Sequence, residues 1–160
     1  MFKKAIALLI CLMLPAGAVA DWEVVGNATV VVQESSHLNG RAKPVNGPIE
    51  MKLYLGDKVE IVSYGRDGWV EIIGGETGTV WVKDAFLTDE WYTLENPEVY
   101  RISSNGRVRV RTIPDGEASG WAKNGDMVTV SAIAVKNGVT WAKIEDGYVM
   151  ERFLTEVEGK

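Results

Sequence analysis

The chain contains the same pattern twice, and a chain that repeats itself must build one structural unit twice. Leu38-Asn39-Gly40-Arg41-Ala42-Lys43-Pro44 answers Val108-Arg109-Val110-Arg111-Thr112-Ile113-Pro114, with arginine and proline at matching places. Gly56-Asp57-Lys58-Val59-Glu60-Ile61 answers Gly125-Asp126-Met127-Val128-Thr129-Val130. Trp69-Val70-Glu71-Ile72 answers Trp141-Ala142-Lys143-Ile144, and the run Trp81 to Thr88 answers Tyr148 to Thr155. Four blocks in one order, spaced by about 70 residues, define two equivalent halves.

Within each half the apolar period is two. Val59 and Ile61 alternate with Lys58 and Glu60, and Val108 and Val110 alternate with Arg107, Arg109 and Arg111, as in half-buried strands. Asn39-Gly40, Asn46-Gly47, Asp67-Gly68, Asn105-Gly106, Asn124-Gly125, Asn137-Gly138 and Asp146-Gly147 punctuate these runs as tight-turn signals. No amphipathic helix of useful length intervenes. Short strands joined by tight turns expose sheet edges unless the sheet closes, so each half is expected to form a small barrel.

At these residues the halves resemble bacterial SH3 domains, whose pattern opens on leucine-asparagine-valine-arginine. It continues through a glycine-aspartate turn and a glycine-tryptophan strand, and closes on glycine-tryptophan-valine and tyrosine-leucine. The first half departs from it at Gly40 and Val80 and in a longer loop from Ile73 to Thr79; the second carries Tyr148 for the closing tryptophan. The resemblance implies an all-β protein of two SH3-like five-stranded small barrels in tandem, at residues 28–88 and 99–156. The segment 89–98 then reads as a linker, whose Trp91, Tyr92 and Leu94 are expected to pack against a barrel.

Residues 1–20 read as a signal peptide: Lys3 and Lys4 precede an apolar run from Ala5 to Leu14, and Ala18-Val19-Ala20 follows. Cleavage after Ala20 would yield a secreted or periplasmic protein with no membrane insertion afterwards. The competing reading, a lipid anchor on Cys11, meets the bulky Ile10 just before it. Cys11 is the one cysteine, so a chain cut after Ala20 forms no disulfide and has no thiol nucleophile. Loss of Lys3 and Lys4 leaves 15 basic against 22 acidic residues, a balance that argues against nucleic acid as a partner.

Catalysis finds little support. His37 is the one histidine, in a Ser35-Ser36-His37 loop with no visible partner, and no ligand cluster suits a metal. We expect neither enzyme nor cofactor. The candidate binding residues are instead aromatic. Trp69 and Trp141 occupy equivalent strand positions, Trp81 and Tyr148 equivalent closing ones, and a flat ring can cover a sugar face or a peptide backbone. Core packing is the competing reading for Trp69 and Trp141. In SH3-like domains the groove lies near the strand tryptophan, which here implies Ser35 to Glu50 and Tyr64 to Gly68. Arg41 and Arg111 are candidate clamps for a carboxylate, against a structural ion pair with Asp57 or Asp126. Arg107, Arg109 and Arg111 would share one strand face, either attracting acidic polymers or simply solvated. The resemblance implies cell-wall peptidoglycan or a wall peptide as the partner. The alternative is an adaptor or inhibitor that binds an extended segment of another envelope protein.

Overall fold

The structure is a computed structural model that describes residues 22–76 and 78–157. The signal-peptide reading of residues 1–20 lies outside the described residues. The first half contains β1 (Gly26–Val30), β2 (Leu38–Arg41), β3 (Ile49–Leu53), β4 (Lys58–Tyr64), β5 (Trp69–Ile73), β6 (Thr79–Lys83) and β7 (Leu87–Thr88). The second contains β8 (Glu90–Ile102), β9 (Arg107–Arg111), β10 (Ala118–Lys123), β11 (Met127–Lys136), β12 (Val139–Ile144), β13 (Gly147–Met150) and β14 (Leu154–Glu156). Single 3-10 turns at Asp84–Phe86 and Glu151–Phe153 precede β7 and β14.

Two antiparallel sheets result, ordered β3-β2-β6-β5-β4-β1-β7 and β10-β9-β13-β12-β11-β8-β14. The protein is all-β with two tandem β domains, and each sheet has seven strands rather than five. Every strand of the first sheet sends a side chain into one core: Ala28 and Val30, Leu38, Leu53, Val59 and Ile61, Val70 and Ile72, Val80 and Val82, and Leu87. One face of a sheet reaches a common centre from all its strands only if the sheet curls around that face. The second sheet does the same around Ile102, Val108, Val110, Ala122, Val130, Ala142, Ile144 and Val149.

The repeat extends to the backbone hydrogen bonds. Val30 N–H donates to Asp57 O and Gly56 N–H to Val30 O; Ile102 N–H donates to Asp126 O and Gly125 N–H to Ile102 O. Val31 N–H donates to Phe86 O as Ser103 N–H donates to Phe153 O. Val31 therefore corresponds to Ser103 and Phe86 to Phe153.

Two readings from sequence are corrected. The segment 89–98 is not a linker but mostly the first part of β8, because the ten-residue β11 is long enough to pair with it twice. Val128 and Thr129 face Tyr100 and Val99; beyond a bulge between Val130 and Ala132, Ile133 and Ala134 face Tyr92 and Trp91. Trp91 and Leu94 pack inward, whereas Tyr92 is exposed. Asn39-Gly40 is not a turn but the middle of β2, where a Cβ on Gly40 would lie 2.6 Å from Met51 Cγ and 2.8 Å from Val80 Cγ2. Asp67-Gly68 and Asn137-Gly138 are turns in which both residues have positive φ, the conformation that lets right-twisted strands reverse tightly.

Candidate functional site

The aromatic candidates separate by domain. Trp141 and Tyr148, each 2% exposed, lie in a third apolar cluster with Val31, Ile113 and Ala134, joined by Leu55, Phe86, Trp91 and Met150. That cluster is the contact between the two domains, so neither ring offers a face to a ligand. Both project from the outer side of the second sheet, opposite the core residues Ala142 and Val149. Period-two patterning shows that an aromatic points outward, but not whether another domain covers it. In the first domain, Trp69 is buried at 9% exposure, with the Lys83 ammonium 4.7 Å from its ring centre. Trp81 is half-buried, and its ring occupies the space a side chain on Gly65 would need. Of the four, only Trp81 keeps appreciable exposure, so four exposed rings in shallow furrows is not what the structure presents.

Arg41 and Arg111 serve as matched loop braces, not as the ion pairs considered above. Arg41 Nη1 donates to Gly47 O at 2.9 Å, and Arg111 Nη1 donates to Gly116 O, each across the loop that leaves its strand. Arg111 also lies 5.8 Å from the centre of the Trp141 ring. Asp57 and Asp126 instead accept the backbone N–H groups of Tyr54 and Lys123 and close equivalent turns.

The surface that gathers recognition chemistry was not legible from the repeat. Trp121, 55% exposed, stands on β10 directly opposite Arg109 on β9, with Lys123 opposite Arg107. The guanidinium carbons of Arg107 and Arg109 each lie 5.6 Å from the Trp121 ring centre. Because Val108, Val110 and Ala122 point into the core, alternation sends Arg107, Arg109, Trp121 and Lys123 to the outer face together. None of the three cations has an ion-pair partner among the described residues. Arg111, the third member of the sequence stripe, is drawn away to its loop. The register places Lys52 opposite Asn39 where Trp121 opposes Arg109, so a search for matching aromatics passes over Trp121. The available signal was local: Gly120-Trp121-Ala122-Lys123 alternates beside an alternating arginine strand.

Along the same strand the outer face leads to a cleft of about 390 Å³ between the domains. Its first-domain wall is the loop at Gln33, Glu34 and Ser35; its second-domain wall includes Ser119, Lys143, the turn Glu145-Asp146 and Tyr148. Lys143 Nζ meets Glu34 Oε1 at 2.8 Å, and the lysine holds the Glu34 carboxyl below its ordinary range. Ser119 Oγ, at a bulge in β10, donates to Val110 O and Asp146 O at 3.3 and 3.4 Å.

No protein-family model matches the chain, and no curated protein does. Among solved structures it is similar to NlpC1 from Trichomonas vaginalis, at 15% identity and a TM-score of 0.36 over 91% of this chain and 51% of that one. NlpC2 from the same organism matches at 15% and 0.33, over 84% and 50%. A Listeria monocytogenes protein proposed to be an autolysin matches at 12% and 0.36, over 89% and 68%. The chain spans about half the length of the two NlpC structures it resembles.

Proposed function

We propose that this chain is an exported, non-catalytic binding module of two bacterial SH3-like domains, and that it recognises cell-wall peptidoglycan or its peptides through the Trp121 hairpin. The observation that carries this reading is the exposed Trp121 ring flanked by two unpaired guanidiniums on an edge hairpin. The ring offers an apolar face to a sugar or peptide plane, and Arg107, Arg109 and Lys123 offer donors to the carboxylates beside it. An overall acidic chain with such a basic island selects ligands locally. The NlpC and autolysin names accord with a wall-related setting, but the reading does not rest on them.

Co-sedimentation with purified sacculi tests it. The chain lacking residues 1–20 should pellet with sacculi. Trp121→Ala should weaken that roughly tenfold, as for an anchor residue. Because the ring is mostly exposed, stability should stay within about 0.5 kcal/mol of the parent. Retention of the parent in the supernatant at every salt concentration would remove the wall as ligand. The second reading, an adaptor or inhibitor for an extended segment of an envelope protein, draws on the position of β10 at the edge of its sheet, where an added strand could pair.

A further inference from the structure

The hydrogen bonds of the β9–β10 hairpin fix the direction in which each β10 backbone group points. Asn124 N–H donates to Gly106 O at 3.3 Å, and this pair continues the register that sets Lys123 opposite Arg107, Ala122 opposite Val108 and Trp121 opposite Arg109. Along an antiparallel ladder bonded and non-bonded pairs alternate. Ala122 and Gly120 therefore bond to β9, whereas the N–H and C=O of Lys123 and Trp121 point the other way. No strand lies on that side, because β10 ends its sheet and β11 leaves the turn to pair with β8 and β12. Lys123 uses its outward groups within the turn: its N–H donates to Asp126 Oδ2 at 2.7 Å and its C=O accepts from Asp126 N–H at 3.1 Å. Trp121 has no such return, so its backbone donor and acceptor stay without a partner among the described residues.

The space beside this edge is open as well. A Cβ on Gly120 would meet nothing within 4 Å. In the first domain the corresponding residue is Met51, opposite Gly40 as Gly120 is opposite Val110, and Met51 packs against the core. The second domain thus leaves unfilled, next to Trp121, a place where the first domain carries an apolar side chain. On the outer face Arg107, Arg109 and Lys123 surround the ring without ion-pair partners among the described residues.

We propose that the ligand of the hairpin is a peptide rather than a glycan strand: an extended segment whose acidic residue lies antiparallel to Trp121 and exchanges both backbone hydrogen bonds with it. The inference rests on the wall-binding reading of the hairpin and takes the wall peptide as the occupant. Paired residues on neighbouring strands share a face, so the acidic side chain stands beside the Trp121 ring and reaches the guanidiniums. The residue next to it points to the opposite face and covers Gly120 with a small apolar side chain. A glycan could cover the ring, but it has no alternating N–H and C=O to pair with a strand edge.

Nuclear magnetic resonance titration of the chain lacking residues 1–20 with Ac-Ala-Ala-Glu-Ala-Ala-NH2 tests the proposal. The Trp121 backbone amide should shift, and the glutamine analogue should bind at least tenfold more weakly. A methyl group on the glutamate nitrogen should abolish binding, whereas one on the nitrogen of the following alanine, which points away from β10, should be tolerated. Gly120→Met should weaken the peptide about tenfold without lowering the melting temperature. Equal binding of the two methylated peptides, equal binding of the glutamine analogue, or no shift at millimolar peptide would overturn the proposal. Sacculi supply the second arm: the peptide should displace the chain from them, and glycan strands stripped of peptide should not. Displacement by the stripped glycan alone overturns the peptide inference and leaves the wall reading standing. Peptide binding without any pelleting overturns the wall peptide as occupant and assigns the edge to a segment of another protein.

Discussion

Lys136 shows how far a residue's role can lie from its sequence context. It precedes Asn137-Gly138 at the end of β11, where sequence suggests a solvated hairpin lysine, yet it is only 8% exposed. Its ammonium donates to Asp84 O at 3.1 Å and Ala85 O at 2.7 Å, and so ties the second domain to the turn before β7 in the first. Burial lowers its pKa, while the nearby carboxylates of Asp84, Asp115 and Asp89 act in the opposite sense. Lys136→Met keeps the stem but withdraws the donor from both carbonyls. The urea midpoint should fall by an amount equivalent to about 1.5–3 kcal/mol, as for a charge-assisted hydrogen bond. An unchanged midpoint would mean that burying the ammonium costs as much as its bonds return. The same limit applied to the aromatics: the repeat paired Trp69 with Trp141 and Trp81 with Tyr148 as candidate binding rings, with core packing as the competing reading for the first pair, but could not show which of them a second domain would cover.

Among the elements, the two departures from the SH3 pattern in the first half, Gly40 and Val80, answer each other in space. Val80 is fully buried on β6, and its side chain occupies the volume that a Cβ on Gly40 would enter. In the second domain the sizes are exchanged: Val110 stands where Gly40 does, Gly147 where Val80 does, and a Cβ on Gly147 would come within 3.1 Å of Val110 Cγ1. One large side chain and one glycine fill this corner in either order. Gly40→Val should overpack it at a cost of about 1–3 kcal/mol, and Val80→Gly should leave a cavity costing about 2–4 kcal/mol. Combined, they should cost at least 1 kcal/mol less than their sum in urea unfolding, in the manner of coupled neighbours. Full recovery is not expected, because Met51 also crowds Gly40. Simple additivity would show that the corner relaxes independently at each position. Gly40 and Val80 were each visible in sequence as a departure; the compensation became visible only once β2 and β6 were laid side by side.

For the whole molecule, the domains meet head to tail rather than through like surfaces. Val31, Leu55 and Phe86 of the first domain enter the Trp141, Tyr148 and Met150 face of the second. The repeat places Ser103, Asn124 and Phe153 at the corresponding knob of the second domain, and Lys83 at the first-domain position corresponding to Met150. The association thus joins two unlike surfaces, and the counterparts of Val31, Leu55 and Met150 outside the joint are the more polar Ser103, Asn124 and Lys83. Val31→Ser with Leu55→Asn, the residues the second domain itself uses, should leave each domain folded but separate their unfolding into two transitions by tryptophan fluorescence. A single, merely shifted transition would show that the joint is not what couples them. The sequence by itself determined the number of units, their strand patterning and most of their tight turns, because these follow from local φ preferences and from an apolar period read along one chain. Only the tertiary structure decided that segment 89–98 extends a strand, that Trp141 and Tyr148 are enclosed, and that Trp121 stands among cations. Each of those outcomes depends on which surfaces two already folded sheets bury against each other, or on which side chains a strand register sets opposite, and such contacts join residues whose separation along the chain carries no periodic signal.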